Sequence, residues 1–142
     1  MRLFATIILL TLIACDPYSE AHLCNESNND LEVIIKIDQD FVETNWQGHQ
    51  QVRFLKEFGS SNNLVEISTD SVSLTGVYNL EKGKCSILYE GISSTPRLMI
   101  NYLKISSSKK SIVFDSREQI EKAFLHEEGS KYRLTLNSEF NN

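Results

Sequence analysis

Residues 31–38 read Leu-Glu-Val-Ile-Ile-Lys-Ile-Asp, and this stretch decides the fold class. Apolar side chains at every second position alternate with positions that carry most of the charge. Successive side chains of a β-strand point to opposite faces, so this period of two predicts a strand with one face on a core and one in water. Because the same period returns further along the chain, we predict a mostly β or all-β protein.

Four later stretches also have a strand pattern. Residues 71–90 contain two alternating runs around a glycine-containing turn at 81–84, which predicts a β-hairpin. Residues 98–105 are apolar on both faces, which is typical of a central strand. Residues 111–114 and 132–136 predict two short strands. Together these patterns indicate an antiparallel β-sandwich of about seven strands.

One segment near the C-terminus breaks the β pattern. Residues 116–119 have the spacing of a capping box, and Ile120 and Phe124 follow at helical intervals. Gly129 is placed to end the helix. We therefore predict one short amphipathic helix over 116–128.

The first fifteen residues combine one positive charge, Arg2, with an apolar run that closes on Leu12-Ile13-Ala14-Cys15. The run is shorter than the roughly 20 apolar residues that a membrane span needs. Its ending resembles the lipobox of bacterial lipoproteins. The resemblance implies a signal peptide over 1–14, a diacylglycerol on Cys15 and a lipid-anchored place in the cell envelope, since two acyl chains give stable anchoring. A plain transmembrane anchor and a signal cleaved without lipid are the alternatives.

A second resemblance lies near the C-terminus, where a strand at 112–115, a helix through Ile120 and a strand at 131–136 follow one another. This order is similar to small lipoproteins of Bacteroidota. Cys15 is not followed by the lysine or acidic run that resembles their surface-export signal. The resemblance therefore implies a domain that faces the periplasm, and the choice between inner and outer membrane stays open.

The mature chain is predicted to contain one domain. Cleavage before Cys15 leaves a polar tether over 15–30 and a single β-rich domain over 31–142. Loss of Arg2 with the signal leaves 13 of the 14 basic side chains against 19 acidic ones, a net charge near −6. This acidic balance argues against nucleic acid as a partner.

Two of the three cysteines remain once Cys15 carries lipid. In an oxidising compartment, Cys24 and Cys85 are predicted to form a disulfide. A metal or redox pair is the alternative, but no CxxC spacing exists and His22 is the only histidine near either cysteine in sequence.

Motifs that carry chemistry are absent from the sequence. It contains no glycine-rich phosphate loop, no histidine pair at metal-ligand spacing and no GxSxG motif. We therefore expect no catalytic residues, no metal and no cofactor. Asp38, Asp40 and Glu43 have the alternation of a calcium loop but lack the rest of an EF-hand, so a solvated loop explains them. Likewise, an exposed helix end explains the adjacent acids at 127–128.

Residues 39–58 fit a strand, a helix or a loop, and their structure stays open. Trp46 lies in a polar stretch with His49, which is typical of a loop. An exposed loop tryptophan is a plausible contact residue for a partner, whereas the single tryptophan of a small β domain also often fills the core. Trp46 and His49 are therefore the candidate partner-binding residues.

Three functions remain compatible with these observations. The first is a non-catalytic envelope lipoprotein that binds a protein or an envelope polymer. The second is an immunity or inhibitor lipoprotein that blocks a lysozyme-like enzyme or a toxin, with residues 39–51 as the inhibiting loop. The third is a small hydrolase or a carrier of lipid or metal. We favour the first, which rests on the predicted anchor, the single small domain, the predicted disulfide and the lack of a catalytic set.

Overall fold

The computed structural model describes residues 17–45, 55, 58–60, 62–93 and 95–141. In this part of the chain the secondary structure consists of β1 (Tyr18–Asn25), β2 (Leu31–Ile37), α1 (Gln39–Asn45), β3 (Val65–Asp70), β4 (Thr75–Leu80), β5 (Cys85–Ile92), β6 (Ile100–Ser106), β7 (Ser111–Phe114), α2 (Arg117–Ala123), β8 (Leu125–His126), β9 (Lys131–Leu136) and a 3-10 turn (Ser138–Asn141).

The strands form a four-stranded sheet with the order β5-β1-β9-β8 and a five-stranded sheet with the order β3-β4-β2-β6-β7. All neighbouring strands are antiparallel except β1 and β9, which are parallel. The predicted mostly antiparallel β-sandwich with a short helix near the C-terminus is confirmed. The described strands number nine rather than about seven.

The core lies between the two sheets and begins with the stretch that predicted the fold. Leu31, Val33, Ile35 and Ile37 are all buried, and β2 is the middle strand of the five-stranded sheet. Buried residues of β1 in the other sheet belong to the same core. Burying one such aliphatic side chain stabilises the fold by about 1.5–3 kcal/mol, so this strand makes a large contribution.

Among the described residues, Tyr78 is the largest fully buried side chain, and it connects the five-stranded sheet to the segment before β3. Its hydroxyl donates a hydrogen bond to the carbonyl of Leu55 at 2.9 Å. Burial, with a smaller effect from Glu66, raises the pKa of Tyr78 to about 12, so the hydroxyl stays protonated. A Cβ at Gly76 would lie 2.2 Å from the hydroxyl oxygen, which explains the glycine on this strand.

The sandwich has a lower end, where β1 starts at Tyr18, and an upper end, where β1 finishes at Asn25. At the upper end, where β1 finishes, lie the links at 26–30, 81–84 and 107–110 and the 3-10 turn. At the lower end, where β1 starts, lie α1, the turn at 71–74 and the turn at 127–130. The assignment follows from the strand directions, because each short link joins strand ends on the same side of the sandwich.

The predicted tether over 15–30 is wrong for residues 18–25. These residues form β1, which lies inside the four-stranded sheet between β5 and β9. Ser19, Ala21 and Leu23 are fully buried. The polar composition of the segment hid this strand, because its outward-facing positions include Glu20 and the core-facing ones include a serine.

The predicted hairpin over 71–90 is also wrong. Its two arms form strands β4 and β5, but they belong to different sheets. Both edges of β4 are occupied, by β2 and β3, so β5 pairs with β1 instead. The turn at 81–84 carries the chain across the sandwich, and the hydrogen bond from the Gly83 N–H to the Asn25 carbonyl, at 2.8 Å, secures it to β1.

The predicted helix over 116–128 is shorter in the structure. Ser116 caps α2 and accepts a hydrogen bond from the Gln119 N–H, as its spacing predicted. The helix ends at Ala123 because Phe124 is extended, and residues 125–126 pair with β9. Gly129, with φ at +76°, lies in the turn between β8 and β9 rather than at the helix end.

The remaining strand predictions are confirmed. Strand β6 lies between β2 and β7, as expected for a central strand. Its register against β2 shifts between Lys36 and Ile37. Ile100 and Leu103 therefore both face the core although three positions separate them, which accounts for apolar residues on both faces of the sequence pattern. Strands β7 and β9 lie where residues 111–114 and 132–136 predicted them.

Candidate binding cleft

A cleft of about 410 Å³ opens at the upper end of the sandwich, between β7 of one sheet and β9 of the other. Its lining residues come from these two strands, the turn before β7 and the 3-10 turn: Lys110, Ser111, Ile112, Thr135, Leu136, Asn137, Glu139 and Phe140. The cleft therefore lies where the two sheets separate at their edges.

The cleft is open because neither bordering strand has a neighbour on that side in the described chain. Strand β7 is the end strand of the five-stranded sheet. Strand β8 pairs only with Tyr132 and Arg133 of β9, so β9 has one unpaired edge from Leu134 onward. Unpaired strand edges present backbone N–H and C=O groups to which an extended chain can add.

The floor of the cleft is apolar and its rim is polar. Leu136 and Phe140 are buried, and Ile112 packs against the core beside them. Lys110 and Glu139 are the titratable side chains among the lining residues. An apolar floor beside free backbone edges suits an extended segment that places one apolar side chain in the cleft.

The rim is held in place by hydrogen bonds at the upper end. The Lys110 ammonium donates to the Glu139 carbonyl at 3.0 Å. The Ser107 hydroxyl accepts from the Lys110 N–H at 3.1 Å and lies 3.4 Å from the Phe140 carbonyl, to which it donates. These bonds connect the turn before β7 to the 3-10 turn, so the cleft is preformed.

The cysteine prediction is confirmed, because Cys24 and Cys85 form a disulfide. The two residues lie directly opposite each other on β1 and β5, with their Cα atoms 4.1 Å apart. The Cys24 side chain is buried and Cys85 is exposed. The bond secures the upper end of the four-stranded sheet.

Comparisons with protein families, with curated proteins and with solved structures find no match for this chain. Within the described ranges, no group of three or more His, Cys, Asp or Glu side chains could hold a metal ion. No helix in the described part of the chain is long and apolar enough to cross a membrane.

Three of the candidate residues named from the sequence, Cys15, Trp46 and His49, lie outside the described residues. Of the 39–51 segment, residues 39–45 are described and form α1 rather than a loop. Trp46 and His49 therefore stay a prediction for partner contact, and Cys15 stays the predicted lipid site.

The acidic candidates have structural contacts. Asp38 accepts the Asp40 N–H at 3.0 Å at the start of α1 and forms an ion pair with Arg117 of α2. The Glu43 carboxylate accepts a hydrogen bond from the Gln39 amide at 2.8 Å. The ion pair joins the start of α1 to α2 at the lower end, and these contacts explain Asp38 and Glu43 without a ligand.

The second acidic candidate, at 127–128, does not end a helix. Glu127 lies in the turn after β8, and its carboxylate forms an ion pair with Arg133 at 3.3 Å. The pair joins that turn to β9. Both side chains are partly exposed, so the pair contributes little to stability.

Sequence reasoning did not find the cleft. Ile112 and Leu136 belong to strands that were predicted, but the pairing of sheets that brings them together was not. Phe140 lies beyond the last alternating run, and nothing in its neighbourhood distinguishes it. One feature of the sequence could have indicated the cleft. The predicted strands at 111–114 and 132–136 are short, which is typical of strands at sheet edges.

Proposed function

We propose that this protein is a non-catalytic, lipid-anchored envelope lipoprotein that binds an extended segment of a protein, or an envelope polymer, in the upper cleft. The observation that carries the proposal is the position of the cleft relative to the predicted lipid. Cys15 lies three residues before Tyr18 in the sequence, and β1 extends from Tyr18 at the lower end for eight residues to the upper end. At about 3.3 Å per residue, the cleft lies roughly 25 Å from the start of β1, at the opposite end of the sandwich.

The inhibitor function receives less support from this arrangement. Strand β2 ends at the lower end, so α1 and the start of the 39–51 segment lie on the side of the anchor. An enzyme that contacts α1 would therefore have to bind on the side of the predicted lipid. An inhibitor would have to use the upper cleft instead, which the capture experiment below can show.

Substitutions in the cleft are expected to abolish partner capture. Ser111 on β7 and Thr135 on β9 are exposed cleft residues, so Ser111→Arg and Thr135→Arg fill the opening without removing core contacts. Strand β3, at the opposite edge of the five-stranded sheet, provides Ser68→Arg as a matched control. The measurement is crosslinking and affinity capture of the lipidated protein from its own envelope, followed by mass spectrometry.

We expect the wild-type protein and Ser68→Arg to recover the same partner in stoichiometric amounts, and both cleft variants to lose it. A partner that all four proteins recover equally would place binding elsewhere on the domain. Recovery of an enzyme whose activity the protein inhibits would favour the inhibitor function over the binding module.

The anchor is tested separately by Cys15→Ala. Without the thiol, no thioether to diacylglycerol can form, and we expect an unlipidated precursor that a high-salt wash removes from membranes. Membrane fractionation with and without the wash measures this, with Cys85→Ser as a cysteine variant that keeps the lipid site. A Cys15→Ala protein that stays with washed membranes would contradict the lipobox assignment.

A further inference from the structure

The chain leaves little distance between the predicted lipid and the folded domain. Only Asp16 and Pro17 separate Cys15 from Tyr18, the first residue of β1. An extended chain spans at most about 3.6 Å per residue, so Tyr18 can lie no more than roughly 10 Å from the lipidated residue. Tyr18 pairs with Ile92 of β5, so the sheet is already formed at this position.

Apolar side chains are exposed next to this link and elsewhere at the lower end. Tyr18 and Ile92 are a cross-strand pair with 40% and 72% of their surfaces accessible. Val72, in the lower-end turn between β3 and β4, is 92% exposed. An aromatic ring with a polar tip and exposed aliphatic side chains are what the boundary between headgroups and acyl chains accommodates.

The Tyr18 hydroxyl donates a hydrogen bond to the Glu90 carboxylate. This bond, with the negative charge of Glu90, raises the pKa of Tyr18 to about 12, so the phenol is neutral at physiological pH. The Tyr18 side chain therefore presents an uncharged ring to its surroundings.

The charges at the lower end do not favour an anionic surface. Acidic side chains there include Asp70, Glu90, Glu127 and Glu128, with Lys131 as a neighbouring cation. Attraction to acidic lipids would need clustered basic residues. Contact with a lipid surface at this end therefore depends on the short link and on apolar side chains, and should be insensitive to salt.

We infer that the lower end of the sandwich rests on the lipid surface of the anchoring membrane, with Tyr18 and Ile92 at the headgroup boundary. The inference rests on the proposed lipid at Cys15 and adds the orientation of the domain and its contact residues. The link holds the surface against the bilayer, and the cleft at the other end stays accessible.

The test uses the full lipidated protein in phosphatidylcholine vesicles, with an environment-sensitive fluorophore on Ile92→Cys. Ser108→Cys, in the exposed turn at the upper end, provides the matched control position. We expect the label at position 92 to shift to the blue and to be quenched by nitroxide-bearing lipids, with and without high salt. We expect the label at position 108 to behave as in water.

A third variant inserts about ten Gly and Ser residues between Pro17 and Tyr18, which adds a reach of roughly 17 Å. We expect the label at position 92 to lose its quenching in this variant. A label at position 92 that stays in water in the original protein overturns the inferred contact while the anchor stands. Quenching that survives the insertion overturns the role of the short link in holding the domain against the bilayer. Intact mass reports the anchor independently: a chain without acyl groups overturns the proposed lipid and the inference together.

Discussion

Removal of the Cys24–Cys85 disulfide is expected to lower the free energy of unfolding by about 4 kcal/mol, on the chain-entropy model for a loop of this length. The bond joins residues 61 positions apart, and the loop between them contains β2, β3 and β4. Breaking it frees the unfolded chain to sample many more conformations. For a domain of this size, we expect the Tm to fall by about 10–15 °C.

The choice of substitution matters because the two cysteines differ in exposure. Cys85 is exposed, so Cys85→Ser removes the bond and leaves a solvated hydroxyl. Cys24 is fully buried, so serine there would add an unpaired polar group, and Cys24→Ala is the matched variant. Thermal unfolding of Cys85→Ser, Cys24→Ala and the double variant should give nearly equal losses, since each removes the same bond.

A reductant provides the control. Wild-type protein unfolded in its presence should match the variants, and the variants should not respond to it. Additive losses in the double variant, or a wild-type Tm that reductant does not change, would contradict the expected contribution of the bond.

Local patterns predicted six of the nine described strands and missed β1, β3 and β8. The alternation over 31–37 reports burial directly, because β2 is central and its apolar side chains at every second position, Leu31, Val33, Ile35 and Ile37, are buried in the core. Strands β7 and β9 were also predicted, and their bounds match the predicted runs closely, although most of their side chains are only partly buried or exposed. The cap at Ser116 was also visible, since capping depends on residues three positions apart.

Pairing between strands could not be predicted in the same way. The turn at 81–84 has the composition of a hairpin turn, yet β4 already has two neighbours. Strand β1 pairs with β5 and β9, both far along the chain, and no local pattern encodes such partners. The two strands are adjacent in sequence, which suggested a hairpin. They do not pair, because β2 and β3 occupy both edges of β4.

For the candidate site, too, some features could be predicted from the sequence and others depend on strand pairing. The disulfide was predictable because a predicted lipid on Cys15 and a predicted oxidising compartment leave one pairing. The cleft was not, because it needs the unpaired edge of β9 next to β7, and that depends on β8 being two residues long. A helix over 116–128 would have left no β8 at all.

Strand β1 connects the proposals for anchor and cleft. It starts next to the predicted lipid site and ends at Asn25, beside the links that form the upper end. Two strands flank β1 in the sheet. Strand β5 ends at the lower end with Ile92, and strand β9 ends at the upper end with Leu136. Asn25 at the upper end of β1 pairs with Leu136, which lines the cleft. A substitution that disorders this end of β1 is therefore expected to disturb the cleft.

Asn25→Ala is expected to destabilise the protein by about 3 kcal/mol, because several buried polar groups lose their partner at once. Asn25 is fully buried. Its amide donates to the carbonyls of Asn29 and Leu80 at 2.9 and 3.0 Å. Its side-chain oxygen accepts from the N–H and the hydroxyl of Ser27 at 3.1 and 2.6 Å. Chemical denaturation measures the change.

Asn29→Ala is the matched control for this prediction, since Asn29 is exposed and takes part only through its backbone carbonyl. We expect a change within about 0.5 kcal/mol there. Asn25→Asp keeps the shape but replaces the donor with a carboxylate that faces two carbonyls. Its destabilisation should be smaller near pH 4, roughly where a carboxyl takes up a proton and regains one donor, than at neutral pH. Equal losses at positions 25 and 29, or an Asn25→Asp protein as stable as the wild type at neutral pH, would show that this network does not hold the upper end together.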